Sequence, residues 1–263
     1  MKPLSPAEIV DAASDAAAGK SSLSVTKTML LAFAAGVYIA MGGALSIVAG
    51  YGFPALSADN PAVQRLLSGA VFPLGLILVV FAGAELFTGN NAVMIPALMD
   101  GRIGVRHVLK NWGLVYAGNF AGALFFASVM VYASGIFDAG PWAEASKGIA
   151  ETKTSLPWMT VFLRGVGANW LVCLAVWLGM SAKNASGRII GLWFPVMGFV
   201  ALGYEHSIAN MFFIPLGMLY GADVGCADFL LGNLVPATLG NVVGGALMVG
   251  CFYRSIYDKK DSR

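Results

Sequence analysis

The stretch Gly203-Tyr204-Glu205-His206-Ser207-Ile208-Ala209-Asn210 decides the fold, because it interrupts an apolar run from 189 to 220 that is too long for one simple membrane crossing. A hydrocarbon layer about 30 Å thick takes roughly 20 residues of helix. The run therefore holds a crossing and a break. Backbone groups freed at such a break find no partners in lipid, so the break must face protein or a water-filled path. A second run, 68–99, has the same character, with its polar interruption from Glu85 to Asn91.

The rest of the chain agrees with this reading. Of 263 residues, 58% are apolar or aromatic and 11% are charged, against about a quarter charged in soluble domains. This is an integral membrane protein, and a soluble enzyme is excluded. A net charge of +2 from scattered Lys and Arg gives no nucleic-acid surface. Cys173, Cys226 and Cys251 are odd in number and lack CxxC spacing, so neither a disulfide framework nor a metal site follows.

Six segments are long enough to span: 28–50, 68–99, 111–137, 157–180, 189–220 and 229–253. Residues 1–26 are too polar for a signal peptide. They read as an amphipathic surface helix, started by Ser5, Pro6 and Glu8, with Ile9, Val10, Ala13 and Ala17 on the face turned to the membrane. The channel domain then covers 27–253 and a tail follows over 254–263. Twelve Lys and Arg fall in the terminal segments and the connectors after the second and fourth spans, against four in the others. The positive-inside rule puts both termini in the cytoplasm.

An offset of about 120 residues pairs Phe72-Pro73 with Phe194-Pro195, Glu85 with Glu205, Asn90 with Asn210, and Ile95-Pro96 with Ile214-Pro215. The repeat continues from Gly118-Asn119 into Gly240-Asn241. The halves run over about 27–137 and 157–253. Three spans per half is an odd number, so the second half must enter the membrane upside down. The predicted fold class is all-α: six transmembrane helices in an inverted three-plus-three repeat with interrupted second and fifth helices. Half-helices starting near Asn91 and Ile208 would present unpaired N–H groups and partial positive charge near the midplane, a natural place for an anion.

His206 is the histidine within a span, whereas His107 falls in a charged connector and reads as a surface contact. Ionisable groups at membrane depth mark ion or proton paths, and an imidazole can donate to an anion or pass a proton. Glu85 and Glu205 are expected to accept hydrogen bonds from N–H groups freed at the breaks, with Glu205 also orienting the imidazole. No ligand spacing supports a metal. Gly118/Gly122 and Gly240/Gly244 are GxxxG pairs suited to close helix packing, and Asn119 and Asn241 read as hydrogen bonders between helices.

Several strings together resemble the formate/nitrite transporter family: 81–90 (FAGAELFTGN), Asn111-Trp112 with 115–119 (VYAGN), 203–215 (GYEHSIANMFFIP) and 233–241 (NLVPATLGN). The resemblance implies an aquaporin-like six-helix protomer in a homopentamer in the inner (cytoplasmic) membrane, with no cofactor and no catalysis. Each protomer would pass small monovalent anions. The motif 209–215 favours formate, and nitrite, hydrosulfide, acetate or lactate stay open. Carried over by position, Phe72, Leu76, Leu86, Phe87, Val172 and Phe199 would line apolar constrictions. Thr88, Asn169, Glu205, His206 and Asn210 would lie near a central chamber, and Lys153 would be a vestibule lysine. The expected mechanism has Lys153 and half-helix dipoles attract formate, which crosses as formic acid or beside a proton on His206. Two other classes fit the residues less well. A neutral-solute channel should carry paired Asn-Pro-Ala boxes at the half-helix starts, but the chain has only Asn60-Pro61-Ala62, outside the spans. A membrane enzyme using Glu205 and His206 lacks a cofactor box or an activated nucleophile.

Overall fold

A computed structural model describes residues 2–257, all helices and connections. The tail expected over 254–263 falls mostly outside the described residues. Helix α1 (Pro6–Ser21) starts as its sequence requires: Pro6 opens the first turn, Ser5 Oγ accepts from the Glu8 N–H, and the Glu8 carboxylate accepts from the Ser5 N–H at 2.7 Å. Helix α2 (Val25–Tyr51) is the first span. After the short α3 (Pro54–Asp59), α4 (Pro61–Val71) and α5 (Leu74–Phe81) run nearly continuously as the second, and α6 (Phe87–Met99) follows a break. Helix α7 (Val105–Phe125) continues through π-helical turns to Ala133.

The second half repeats this order. Helix α8 (Trp142–Thr154) precedes the span α9 (Trp158–Ser181), then α10 (Ala185–Ala201), a break, and α11 (Ser207–Leu219). The last span, Asp228–Ile256, contains α12 (Val235–Val242) between two π-helical segments and ends in α13 (Phe252–Ile256). Among the described residues, five helices are long and apolar enough to cross a membrane, and α10 and α11 are shorter apolar helices.

Both breaks are made the same way. Helices α5 and α10 end with Gly83 and Gly203 at φ +71° and +73°, the left-handed turn that only glycine adopts without strain. The following N–H groups reach back five residues, Ala84 to the Val79 carbonyl at 2.9 Å and Tyr204 to Phe199 at 3.1 Å. The chain then runs extended through Leu86 and His206 into α6 and α11. The GxxxG pairs do the packing expected of them. A Cβ on Gly118 or Gly122 would strike Ala32 and the Phe33 carbonyl of α2, and one on Gly240 or Gly244 would strike the Phe162 and Val166 carbonyls of α9.

Three expectations change. The apolar face of α1 does not lie on lipid: Ile9, Ala13 and Ala17 are buried with Ala92, Val93 and Ala97 of α6 and Trp177 of α9. Protein offers the same apolar surface as a bilayer and adds polar anchors, Asp15 to Arg102 at 2.7 Å and Ser14 to Asp100 at 3.1 Å. The first half-helix starts at Phe87 rather than near Asn91, because Asn119 caps it from a neighbouring helix, a contact that local sequence does not reveal. The third span starts at Val105 rather than 111, since a helix need not stop where its residues turn polar.

Candidate functional site

Each break is held by one asparagine from the following span. Asn119 Oδ1 accepts the Phe87 N–H at 2.9 Å while its amide donates to the Ala32 and Glu85 carbonyls at 2.8 and 2.9 Å. Asn241 repeats the arrangement on Ser207 N–H, Gly165 O and Glu205 O at 2.8, 2.8 and 2.9 Å. The expected hydrogen bonds of Glu85 and Glu205 to freed N–H groups are therefore corrected: these asparagine oxygens take the N–H groups, because a neutral amide can accept and donate at one buried point. The carboxylates face side chains instead. Glu85 accepts from Lys20 at 2.5 Å and Asn90 at 2.7 Å, and Glu205 from Lys153 at 2.9 Å and Asn210 at 2.7 Å. Asn111 and Asn233 complete the two clusters, accepting from Asn90 and Asn210.

Glu205 does not orient the imidazole either. Nδ1 of His206 accepts the Ala209 N–H at 3.1 Å, so the ring caps its own helix. A backbone N–H can only donate, which leaves the proton of the neutral ring on Nε2, 2.9 Å from Thr88 Oγ1 in the other half. The Thr88 hydroxyl hydrogen is then left to point elsewhere. The ring stacks on Phe199 at 5.7 Å, and Phe199 meets Phe72 edge-on at 5.7 Å.

Two cavities approach this contact. The larger, about 510 Å³, is walled by Phe72, Lys153, Phe199, Glu205, His206 and Asn210, with Arg65 and Arg164 at its rim. The smaller, about 170 Å³, is lined by Leu76, Leu86, Gly89 and Asn90 together with Lys20 and Arg188. Thr88, between Leu86 and Gly89 in sequence, joins the two sides through His206. Eight of the twelve predicted site residues thus lie on a cavity wall. Thr88 lines neither cavity but bonds His206 on the wall of the larger one, and Phe87, Val172 and Asn169 also line neither. Phe87 packs edge-on against Tyr116 at 4.9 Å and Trp112 at 6.2 Å. Val172 is buried in the main core. Asn169 is a strut, donating to the Thr88 carbonyl, Asn91 Oδ1 and the Asn241 carbonyl at 3.1, 3.1 and 2.6 Å, which ties Thr88 to the cap beside His206.

The sequence pattern of the formate/nitrite transporters matches residues 7–255. The chain belongs to the formate/nitrite transporter family. It is 43% identical to a probable formate transporter of Methanothermobacter thermautotrophicus, over 97% of this chain and 98% of that protein. Among solved structures it is similar to an FNT family ion channel, with TM-score 0.85 and 28% identity over 95% of this chain and 98% of that one. A pentameric formate channel with formate bound aligns with TM-score 0.77 and 34% identity over 89% and 98%. In this formate/nitrite transporter, sequence reasoning missed Lys20, Asn111 and Asn233. Lys20 belongs to α1, which carries no repeat signal. The two asparagines each stand a little over 20 residues after the asparagine they bond, a spacing that becomes legible once the halves are aligned.

Proposed function

We propose that the protein is a pore for small monovalent anions, formate first, with one path through each protomer of a homopentamer. The cytoplasmic membrane is its expected location, with both termini inside and the two halves entering the bilayer in opposite senses. The observation that carries this reading is His206 on the wall of a cationic cavity, sharing a hydrogen bond with Thr88 from the opposite half. Lysine and arginine around both cavities favour anions over the neutral solutes of the alternative class. A bare anion in an apolar slit would cost several kcal/mol, as a charged side chain does at membrane depth.

The capped Nδ1 bears on how that cost is met. A second ring proton would have to displace the Ala209 N–H, so His206 acts here as an Nε2–H donor rather than a proton store. The anion is drawn into the cavity by Lys153, takes its proton from water in the cavity and passes Phe72, Phe199 and Leu86 as the neutral acid. His206 and the Thr88 hydroxyl hold its oxygens midway. Nitrite and hydrosulfide remain outcomes of the test rather than separate readings. Purified protein in proteoliposomes is to be offered labelled formate, nitrite, hydrosulfide and acetate under imposed pH gradients. Formate should enter unchanged and fastest on the acidic side. Lys153→Ala should slow it most at low formate, and impermeability to every anion would end the proposal.

A further inference from the structure

The two cavities hold their positive charge in different ways at different residues. Lys153 and Lys20 are each balanced by the carboxylate of their own half, Glu205 at 2.9 Å and Glu85 at 2.5 Å. Arg188, on the wall of the smaller cavity, has no such balance: among the described residues no carboxylate stands within ion-pair distance of it. Its Nε is buried and has no hydrogen-bond partner. Yet the side chain is well placed. Asn184 caps α10 through the Gly187 N–H at 2.7 Å, fixing the turn that carries Arg188. The stem passes Gly179 of α9, where an added Cβ would stand 3.9 Å from Arg188 Cγ. The guanidinium carbon sits 5.5 Å over the Phe81 ring, at the end of α5 beside the first break.

A guanidinium fixed by stacking, with a buried N–H lacking an acceptor, is completed by an incoming oxygen atom. Its planar fork matches two oxygens held on one atom, as in a carboxylate or nitrite, and a compact ammonium does not reproduce that match. We infer that Arg188 is the docking group of the smaller cavity for small planar oxyanions, which it receives before they reach Leu86. This rests on the transport reading above and adds to it a second, chemically distinct recognition point. Leu76, Val79 and Val176 line the same cavity with apolar surface, and its other polar side chains, Lys20 and Asn90, are both engaged by Glu85.

The test uses full-length protein reconstituted in one orientation, with initial rates measured against anion concentration from each side. For Arg188→Gln, the half-saturating formate concentration from the smaller cavity's side should rise roughly tenfold, the loss of one charge-assisted contact. The maximal rate and entry from the larger cavity should hold. Arg188→Lys should fall between, since it keeps the charge but not the fork, and should report even if the glutamine variant assembles poorly. Nitrite should follow formate, and hydrosulfide, which has no pair of oxygens for the fork, should lose only the charge: a smaller rise than formate in Arg188→Gln and none in Arg188→Lys. Removing the exposed Arg106 in the first turn of α7 (Arg106→Ala) should change nothing. Unchanged half-saturation in Arg188→Gln, a lysine variant equal to the wild type, or an equal rise for hydrosulfide would each overturn the assignment while leaving transport intact. A wild-type protein that passed no anion would overturn both.

Discussion

The two breaks, 82–86 and 202–206, share nearly every backbone contact and differ in the residue that precedes the half-helix. Both open with a left-handed glycine, both are held by an asparagine from the next span, and both set a carboxylate between a lysine and an asparagine. The first then places Leu86 at the helix start, with no side-chain cap, and the second places His206, which caps α11 with one ring nitrogen and reaches Thr88 with the other. What the halves share keeps irregular backbone satisfied at membrane depth, and what they do not share supplies the chemistry. Duplicated structure and unduplicated function can therefore be tested apart.

The largest effect should come from the shared asparagines. Asn119→Leu and Asn241→Leu each leave a buried N–H and the Glu85 or Glu205 carbonyl without partners and strip a second bond from a helix carbonyl, on the order of 4 kcal/mol at roughly 1–3 kcal/mol per group. Both should sharply lower the midpoint of thermal unfolding in detergent, by similar amounts. A large loss in one half alone would break the equivalence. Gly122→Ala and Gly244→Ala come next. Each pushes a methyl onto a backbone carbonyl of the facing span, and overpacking of this kind costs about 1–3 kcal/mol. The same melts should register it in both.

Lys20→Met and Lys153→Met should cost less than the ~3–5 kcal/mol of breaking a fully buried pair. Their carboxylate partners are 5% and 3% exposed but the lysines 21% and 17%, so water screens part of the charge, leaving about 2 kcal/mol. Pairing each with its Glu85→Gln or Glu205→Gln partner should recover part of the loss, and absence of recovery would deny the ion pairs a structural share. The smallest effect lies outside the repeat, in the cap of α1. Hydrogen bonds from the Ser5 N–H and hydroxyl hold the Glu8 carboxyl below its ordinary value of 4.5. A lowered folded-state value means the cap's support is complete above that ordinary value and is lost as pH falls through the lower one. Amide exchange over the first turn of α1, corrected for its intrinsic pH dependence, should accelerate in that window and not above it.

How much of this was legible varies by residue for physical reasons. Hydropathy and the matched Glu-to-Asn breaks read directly, because lipid forbids unsatisfied backbone and leaves few arrangements that comply. The role of Asn119 and Asn241 between helices was visible as polar residues beside GxxxG pairs. Their capping of the half-helices was not, since the partners lie over 30 residues away. The docking of α1 escaped because amphipathicity does not say whether the apolar face meets lipid or protein. Lys153 was placed by resemblance alone, because 138–156 reads as a connector between spans and not as the helix α8 that carries it. Asn169 was placed near the chamber by resemblance, and its three acceptors make it a strut that sets Thr88 opposite His206.

The most direct measurement is formate flux through His206→Asn protein in proteoliposomes, between about pH 5 and 8. Asparagine can still cap α11, so the fold and its melting midpoint should hold, while the Nε2–H donor opposite Thr88 is lost. The account predicts a steep fall in flux at every pH with the preference for the acidic side kept, since the proton comes from water and the ring supplies only its Nε2–H. Flux equal to the wild type across that whole range, in a protein equally stable and assembled, would contradict it.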